Sequence, residues 1–204
     1  RSYVLILLDN GPSHSLDQCE RELGIPVGQL LTPLTRYRLK DHRRPWAIDN
    51  GAFAGFDERA FFSLLGRCAK YKTRPIFVTA PDSVGNAELT RELFEQYYPK
   101  LWNWPIALVL QDGQQSAPPI PWDLLAAVFV GGSDEFKESK YVLRALKEAK
   151  SKGKWCHMGR VNGHKRLHAA IYANVDSIDG TGISRYTHMR TALRDSFNQQ
   201  RMFP

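Results

Sequence analysis

Asp49 and Asp179 are the residues of this chain best placed to do chemistry at a carbon centre. Asp179 closes Val175-Asp-Ser-Ile-Asp179, an apolar strand-like run that stops at the carboxylate and turns through Gly180-Thr-Gly182. Asp49 closes the equally short Trp46-Ala-Ile-Asp49 and is followed by Asn50-Gly51. An acid at the end of an apolar strand is costly to desolvate unless it is paired or used. Two of them across one cavity suit displacement at an anomeric carbon: one ionised carboxylate attacks, and the other, with its pKa raised, protonates the leaving group. A single such acid reads equally well as a helix N-cap or a turn residue. The elements around the pair therefore decide its meaning.

Those elements alternate. Strand-like runs at Tyr3–Leu8, Val27–Leu31, Trp46–Asp49, Pro75–Thr79, Pro105–Leu110, Ala126–Val130, Lys154–Met158 and Val175–Ile178 are separated by helical patterns. The helices are expected at Ser15–Leu23, Glu58–Tyr71 (capped by Asp57), Asn86–Tyr98, from Ser133 or Asp134 to Lys150, Gly163–Asn174 and Tyr186–Phe197. A short helical turn is expected at Trp122–Leu125. About eight strand–helix units of roughly 25 residues predict a compact, single-domain α/β protein over residues 1–204, a (β/α)8 TIM-type barrel. A doubly wound open sheet is the competing architecture.

In a barrel the strand ends converge on one face. They are Asp9, Thr32, Asp49, Asp82, Gln111, Gly131, Met158-Gly159 and Asp179. Some of these acids serve turn chemistry, but a ring of them predicts a polar pocket floor. Metal binding by Asp9, Asp49 and Asp82 is a rival use, with no histidine at a matching strand end. Gly131-Gly132 and Gly180-Thr-Gly182 are alternatively phosphate cradles.

The 204 residues carry a net charge of +7, with 43% hydrophobic and 24% charged residues, as in a globular chain with one sizeable core. No apolar run reaches the roughly 20 residues of a membrane span, and the apolar start is too short for a signal peptide. The chain opens on Arg1, so the natural start is expected upstream. Cys19, Cys68 and Cys156 are scattered, which predicts a reducing cytoplasm, no disulfide framework and no zinc cluster. The basic balance favours a polyanionic partner. Arg36, Arg38, Lys40, Arg43 and Arg44 crowd one ten-residue stretch with Tyr37 among them, and Arg160, Lys165 and Arg166 form a second cluster.

The order of these segments resembles that of the tRNA-guanine transglycosylases. Asp49-Asn-Gly-Ala-Phe53 resembles their Asp-Ser-Gly-Gly-Tyr segment, and Pro81-Asp82 their base-reading Asp. Gln111-Asp-Gly113 is similar to their Gln-Gly segment, Val130-Gly-Gly132 to their Gly-Gly loop and His157-Met-Gly159 to their Leu-Met-Gly. Val175–Asp179 resembles the segment ending in the nucleophile. The similarity runs from about Trp46 to Gly182. Two departures stand out. The Cys-rich zinc insertion is absent, and Gly180-Thr-Gly-Ile-Ser-Arg185 replaces a Leu-Pro-Thr-Arg segment. A short, zinc-free, basic chain looks more like the DNA 7-deazaguanine transglycosylases of phages and bacterial genomic islands.

The resemblance implies a glycosyltransferase without a cofactor or metal that exchanges guanine in DNA for a free 7-deazaguanine of the preQ0 type. It implies Asp179 as nucleophile at C1′ and Asp49 as general acid and base. Asp82 would accept hydrogen bonds from the base N1–H and amine, Gln111 and the N–H groups of Gly131 and Gly132 would read the O6 side, and Phe53 and Met158 would sandwich the ring. The target nucleotide must be flipped out or single-stranded, and whether a helper protein opens the duplex is left open. The basic residues Arg36, Arg38, Lys40, Arg43 and Arg44, then Arg160, Lys165 and Arg166, are the expected phosphate contacts. No membrane is involved, and the expected setting is the cytoplasm of a bacterium or phage-infected host. The rivals are the same exchange on tRNA, a nucleoside or glycoside hydrolase using the same carboxylates, and a nucleic-acid-binding barrel without catalysis.

Overall fold

The computed structural model describes residues 4–35 and 44–202. Arg36, Arg38, Lys40 and Arg43 of the expected basic loop lie outside these residues. The chain alternates β1 (Ile6–Asp9), α1 (Ser13–Leu23), β2 (Val27–Leu31), β3 (Trp46–Ile48), α2 (Glu58–Cys68), β4 (Val78–Thr79), α3 (Ala87–Leu101) and β5 (Ile106–Leu110). It continues through β6 (Ala127–Val130), α4 (Asp134–Lys137), α5 (Lys140–Ser151), β7 (Trp155–Met158), α6 (His164–Tyr172), β8 (Ser177–Asp179) and α7 (Thr187–Met202). All eight strands pair in parallel and in sequence order, and β1 closes on β8 with Leu8 opposite Asp179. The fold is a (β/α)8 barrel, and the closure rules out an open sheet.

Strand alternation divides the apolar residues between two layers. Leu8, Leu30, Ala47, Phe77, Ala107, Val109, Ala127 and Phe129 fill the barrel. Their neighbours, such as Leu7, Leu31, Ile48, Val78, Leu108, Val128 and Met158, face the helices. Three alanines leave room for two phenylalanines, Phe77 and Phe129, which meet edge to face inside the barrel.

Two helices depart from expectation. α3 runs through Pro99 to Leu101 rather than stopping at Tyr98, because Leu101 is fully buried and its packing outweighs the missing proline N–H near the helix end. The single helix expected up to Lys150 is two, since Ser139 starts a new one by accepting a hydrogen bond from Val142 N–H at 3.2 Å. This break turns Phe136 and Lys137 inward.

Close approach fixes the glycine in β2. A Cβ at Gly28 would lie 2.6 Å from the Pro45 carbonyl oxygen and 2.5 Å from Leu8 Cδ2. That same carbonyl accepts the Gln29 N–H at 2.8 Å and joins β2 to β3. Gly28→Ala is therefore expected to lower stability by roughly 1–3 kcal/mol, measurable by denaturant unfolding.

Candidate active site

The C-terminal ends of the strands enclose a cavity of about 490 Å³. Asp9, Asp49, Asp82, Gln111, Gly131, Gly132, Gly159 and Asp179 all line it, so the polar strand ends do converge. Phe129 lines its floor, and beneath it Phe77, Phe129 and the ring of His157 pack at centroid separations of 4.5–6.2 Å.

Asp179 ends β8 and is nearly buried. Its Oδ1 accepts the Arg160 backbone N–H at 2.7 Å, and Oδ2 lies 2.9 Å from His157 Nε2. The other nitrogen of His157 lies 2.8 Å from Ser177 Oγ, which accepts the Trp155 indole N–H at 2.8 Å. Indole only donates, so every hydrogen finds an acceptor when Ser177 O–H donates to Nδ1 and Nε2–H donates to Asp179. Asp179 is thus clamped from two sides, with lone pairs left for a substrate. Neighbouring Gly159 is required: a Cβ there would meet Phe129 at 2.5 Å and Asp179 Oδ2 at 3.4 Å.

Asp82 is held differently. Asn50 Nδ2 donates to Oδ1 at 2.8 Å and Gln111 Nε2 to Oδ2 at 2.6 Å. Asn50 also donates to the Ala80 carbonyl at 2.7 Å and accepts the Ala52 N–H at 2.7 Å, and Gln111 accepts the Gly85 N–H at 3.0 Å. Both amides are oriented with oxygen and nitrogen unambiguous. Burial pushes the Asp82 carboxyl up, and the two amide donors pull against it.

Among the described residues, Asp49 receives only the Gly51 N–H, at 2.9 Å. Desolvation, with smaller contributions from the Asp179 and Asp82 charges, pushes its carboxyl up to about 7. A group balanced near neutrality can both give and take a proton. Asp9, also raised by burial, is occupied by the Gly11 N–H at 2.9 Å and by the Ser184 N–H and hydroxyl. It ties β1 to the segment after β8. Among the described residues no three His, Cys, Asp or Glu side chains are grouped to hold a metal ion.

Several expected contacts change. Met158 is fully buried in the layer between barrel and helices, because alternation in β7 sends His157 and Gly159 inward and Met158 outward. It cannot sandwich a ring in the cavity. The group facing Phe53 is Arg160, whose guanidinium carbon lies 4.0 Å from the ring centroid across the mouth. The Gly131 N–H is committed to the Leu110 carbonyl at 2.9 Å, extending the strand ladder, and cannot read a base.

The basic positions are equally divided. Arg44 stands at the entrance to β3, the end of the barrel away from the cavity, where it pairs with Asp17 and Glu20 of α1 and with the Val27 carbonyl. It is not a phosphate contact at the mouth. Lys165 is exposed and pairs with Glu138 at 2.9 Å; Arg166 pairs with Asp134. Of the expected cations that are described, Arg160 alone lines the cavity, joined by Lys137 and Arg185.

Sequence reasoning missed His157, Asn50, Lys137 and Arg185. The period-two pattern Trp155, His157, Gly159 beside Ser177, Asp179 carries the signal for His157, once His157 is known to lie opposite Ser177. Asn50 was visible as the residue after Asp49. No protein-family model matches the chain, and no curated protein matches it. Fold and site geometry alone define its class: a (β/α)8 barrel with four carboxylates lining one cavity, each in a distinct environment.

The raised Asp49 carboxyl has a consequence for stability. The unfolded chain gives up this proton near the ordinary value of 3.8 and the folded chain only near 7, so folding is progressively penalised as pH rises between the two. Asp49→Asn is expected to be neutral below about pH 4 and to stabilise by about 1 kcal/mol or more at pH 8. Unfolding curves at the two pH values check this.

Proposed function

We propose that this protein is a base-exchange transglycosylase that replaces guanine in DNA with a 7-deazaguanine. The observation that carries the reading is the contrast between two carboxylates in one cavity: Asp179 clamped by His157 and a backbone N–H, and Asp49 raised to about 7. Such a pair divides the work of nucleophile and proton carrier.

The steps follow from these environments. An oxygen of Asp179 bonds to C1′ as the C1′–N9 bond breaks, and the proton of Asp49 goes to the departing guanine. The incoming 7-deazaguanine loses its N9 proton to Asp49. Its N9 then bonds to C1′ as the Asp179 ester bond breaks, with retained configuration. His157 is a positioning residue that holds Asp179 Oδ2. Asp82, its outer lone pairs kept in place by Asn50 and Gln111, takes the N1–H and amine of the base, a pair of donors that adenine lacks.

The mouth supports a nucleic-acid substrate. Phe53 and Tyr186 are more than half exposed at the rim, beside Arg160 and Arg185. Aromatic faces next to guanidinium groups suit unstacked bases and their phosphates. The net charge of +7 favours the same partner.

Incubation with DNA or tRNA and a labelled 7-deazaguanine tests the reading. Label is expected in DNA; incorporation into tRNA alone would replace DNA by tRNA, and release of free base without incorporation would make the protein a hydrolase. Asp179→Asn should slow exchange by roughly 10³-fold or more and abolish the covalent protein–DNA species in denaturing gels. Asp82→Ala should lose selection between guanine and adenine while polymer binding persists; unchanged selection would remove Asp82 from base reading.

A further inference from the structure

Lys137 brings a mostly withdrawn cation to the wall of the cavity. Its side chain is 95% withdrawn from solvent (5% exposed) yet lines the cavity, and it has no hydrogen bond or ion pair among the described residues. The nearby carboxylates are engaged elsewhere: Asp112 with the Ser133 N–H and hydroxyl, Asp134 with Arg166, and Asp179 with His157 and the Arg160 N–H. Burial lowers its pKa, and the Asp134 and Asp179 charges oppose this without cancelling it, while Arg166 and Arg160 add to it. A lysine held in this way is costly unless a ligand brings negative charge to it.

The cavity is also polarised. Asp49 and Asp82 follow β3 and β4, whereas Lys137, Arg160 and Arg185 follow β6, β7 and β8. A hydrogen-bond-donating, uncharged heterocycle fits the first side, and an anion fits the second. Asp179 stands at the cationic side, so a sugar on Asp179 would present its phosphate to those cations.

We infer that Lys137 forms a phosphate subsite of the cavity and holds a backbone phosphate adjoining the sugar on Asp179, so that the substrate is a nucleotide in a phosphodiester chain and not an uncharged nucleoside. This rests on the proposed transglycosylase reading and names its substrate class. An ammonium–phosphate contact of this kind is charge-assisted and directional enough to set where the sugar lies.

The experiment uses a DNA oligonucleotide with one target guanine, whose flanking linkages are either phosphodiester or neutral methylphosphonate. Binding is measured at fixed salt with the parent protein, Lys137→Gln and Lys137→Arg. For the parent we expect about a tenfold loss on replacing one flanking phosphate by methylphosphonate. Lys137→Gln should bind the phosphodiester oligonucleotide that weakly and show no further loss with methylphosphonate; Lys137→Arg should recover part of the difference. Thermal unfolding guards against a folding defect: removing an uncompensated buried charge should leave Lys137→Gln at least as stable as the parent.

Full sensitivity to methylphosphonate in Lys137→Gln, or equal binding of both oligonucleotides by the parent, would overturn the inference. Stabilisation of the parent but not of Lys137→Gln by inorganic phosphate, without any methylphosphonate effect, would overturn it in favour of a free-anion site. The binding readout needs no turnover. Lys137-dependent phosphate preference without base exchange would leave the subsite standing and sink the transglycosylase reading. Exchange that is indifferent to Lys137 would do the reverse.

Discussion

Crowding four carboxylates into one end of a narrow barrel is the constraint on which the rest of the structure depends. Asp9, Asp49, Asp82 and Asp179 all open on one cavity, and each needs donors to remain there. The strand ends and their loops are arranged to supply them. Ser184 and Gly11 serve Asp9, Asn50 and Gln111 serve Asp82, and His157 with the Arg160 N–H serves Asp179. Asp49, whose one donor among the described residues is the Gly51 N–H, has least to set against desolvation, which pushes its carboxyl up to about 7. Chemical difference among identical side chains thus comes from the number of donors each strand end provides.

Those donors come from neighbouring strands, which couples the site to barrel closure. Asn50, after β3, reaches Asp82 after β4, and Gln111, after β5, reaches the same carboxylate from the other side. His157 of β7 reaches Asp179 of β8 only because His157 and Ser177 are in register. Asp9 of β1 reaches Ser184 past the end of β8, so a carboxylate helps to lock the closing seam. The relay from Trp155 through Ser177 and His157 lies deep in the barrel, beneath Asp179. The His157 ring packs against Phe77 and Phe129, which fixes the imidazole plane and thereby the orientation of Asp179.

The mouth is built on a longer reach. Phe53 follows β3 and Arg160 follows β7, halfway round the barrel from each other, yet they stack at 4.0 Å. A planar base using that face of Phe53 would displace the guanidinium. Arg160 has φ at +57°, uncommon for an arginine, and its own N–H is the one that Asp179 accepts. One residue thereby links the nucleophile candidate to the rim. Lys137 and Arg185 complete a cationic wall opposite Asp49 and Asp82.

The sequence alone determined the alternation of strands and helices, the barrel, and which carboxylates end the strands, since hydrophobic period and turn residues are local. Asp176, three residues before Asp179, has a structural use: it accepts the Cys156 N–H at 2.7 Å and pairs with Lys150. Contacts between strands were another matter. The roles of His157 and Ser177 depend on register, which follows from how eight strands shear on closing and not from any one strand. The exclusion of Met158 from the cavity turned on a single step of alternation, and the diversion of Arg44 on where the chain re-enters the barrel. Lys137 owes its position to a helix break whose consequence is visible only against the packed wall. Tertiary structure decided these points because each rests on the donors, acceptors and space that other strands bring to the same few ångströms.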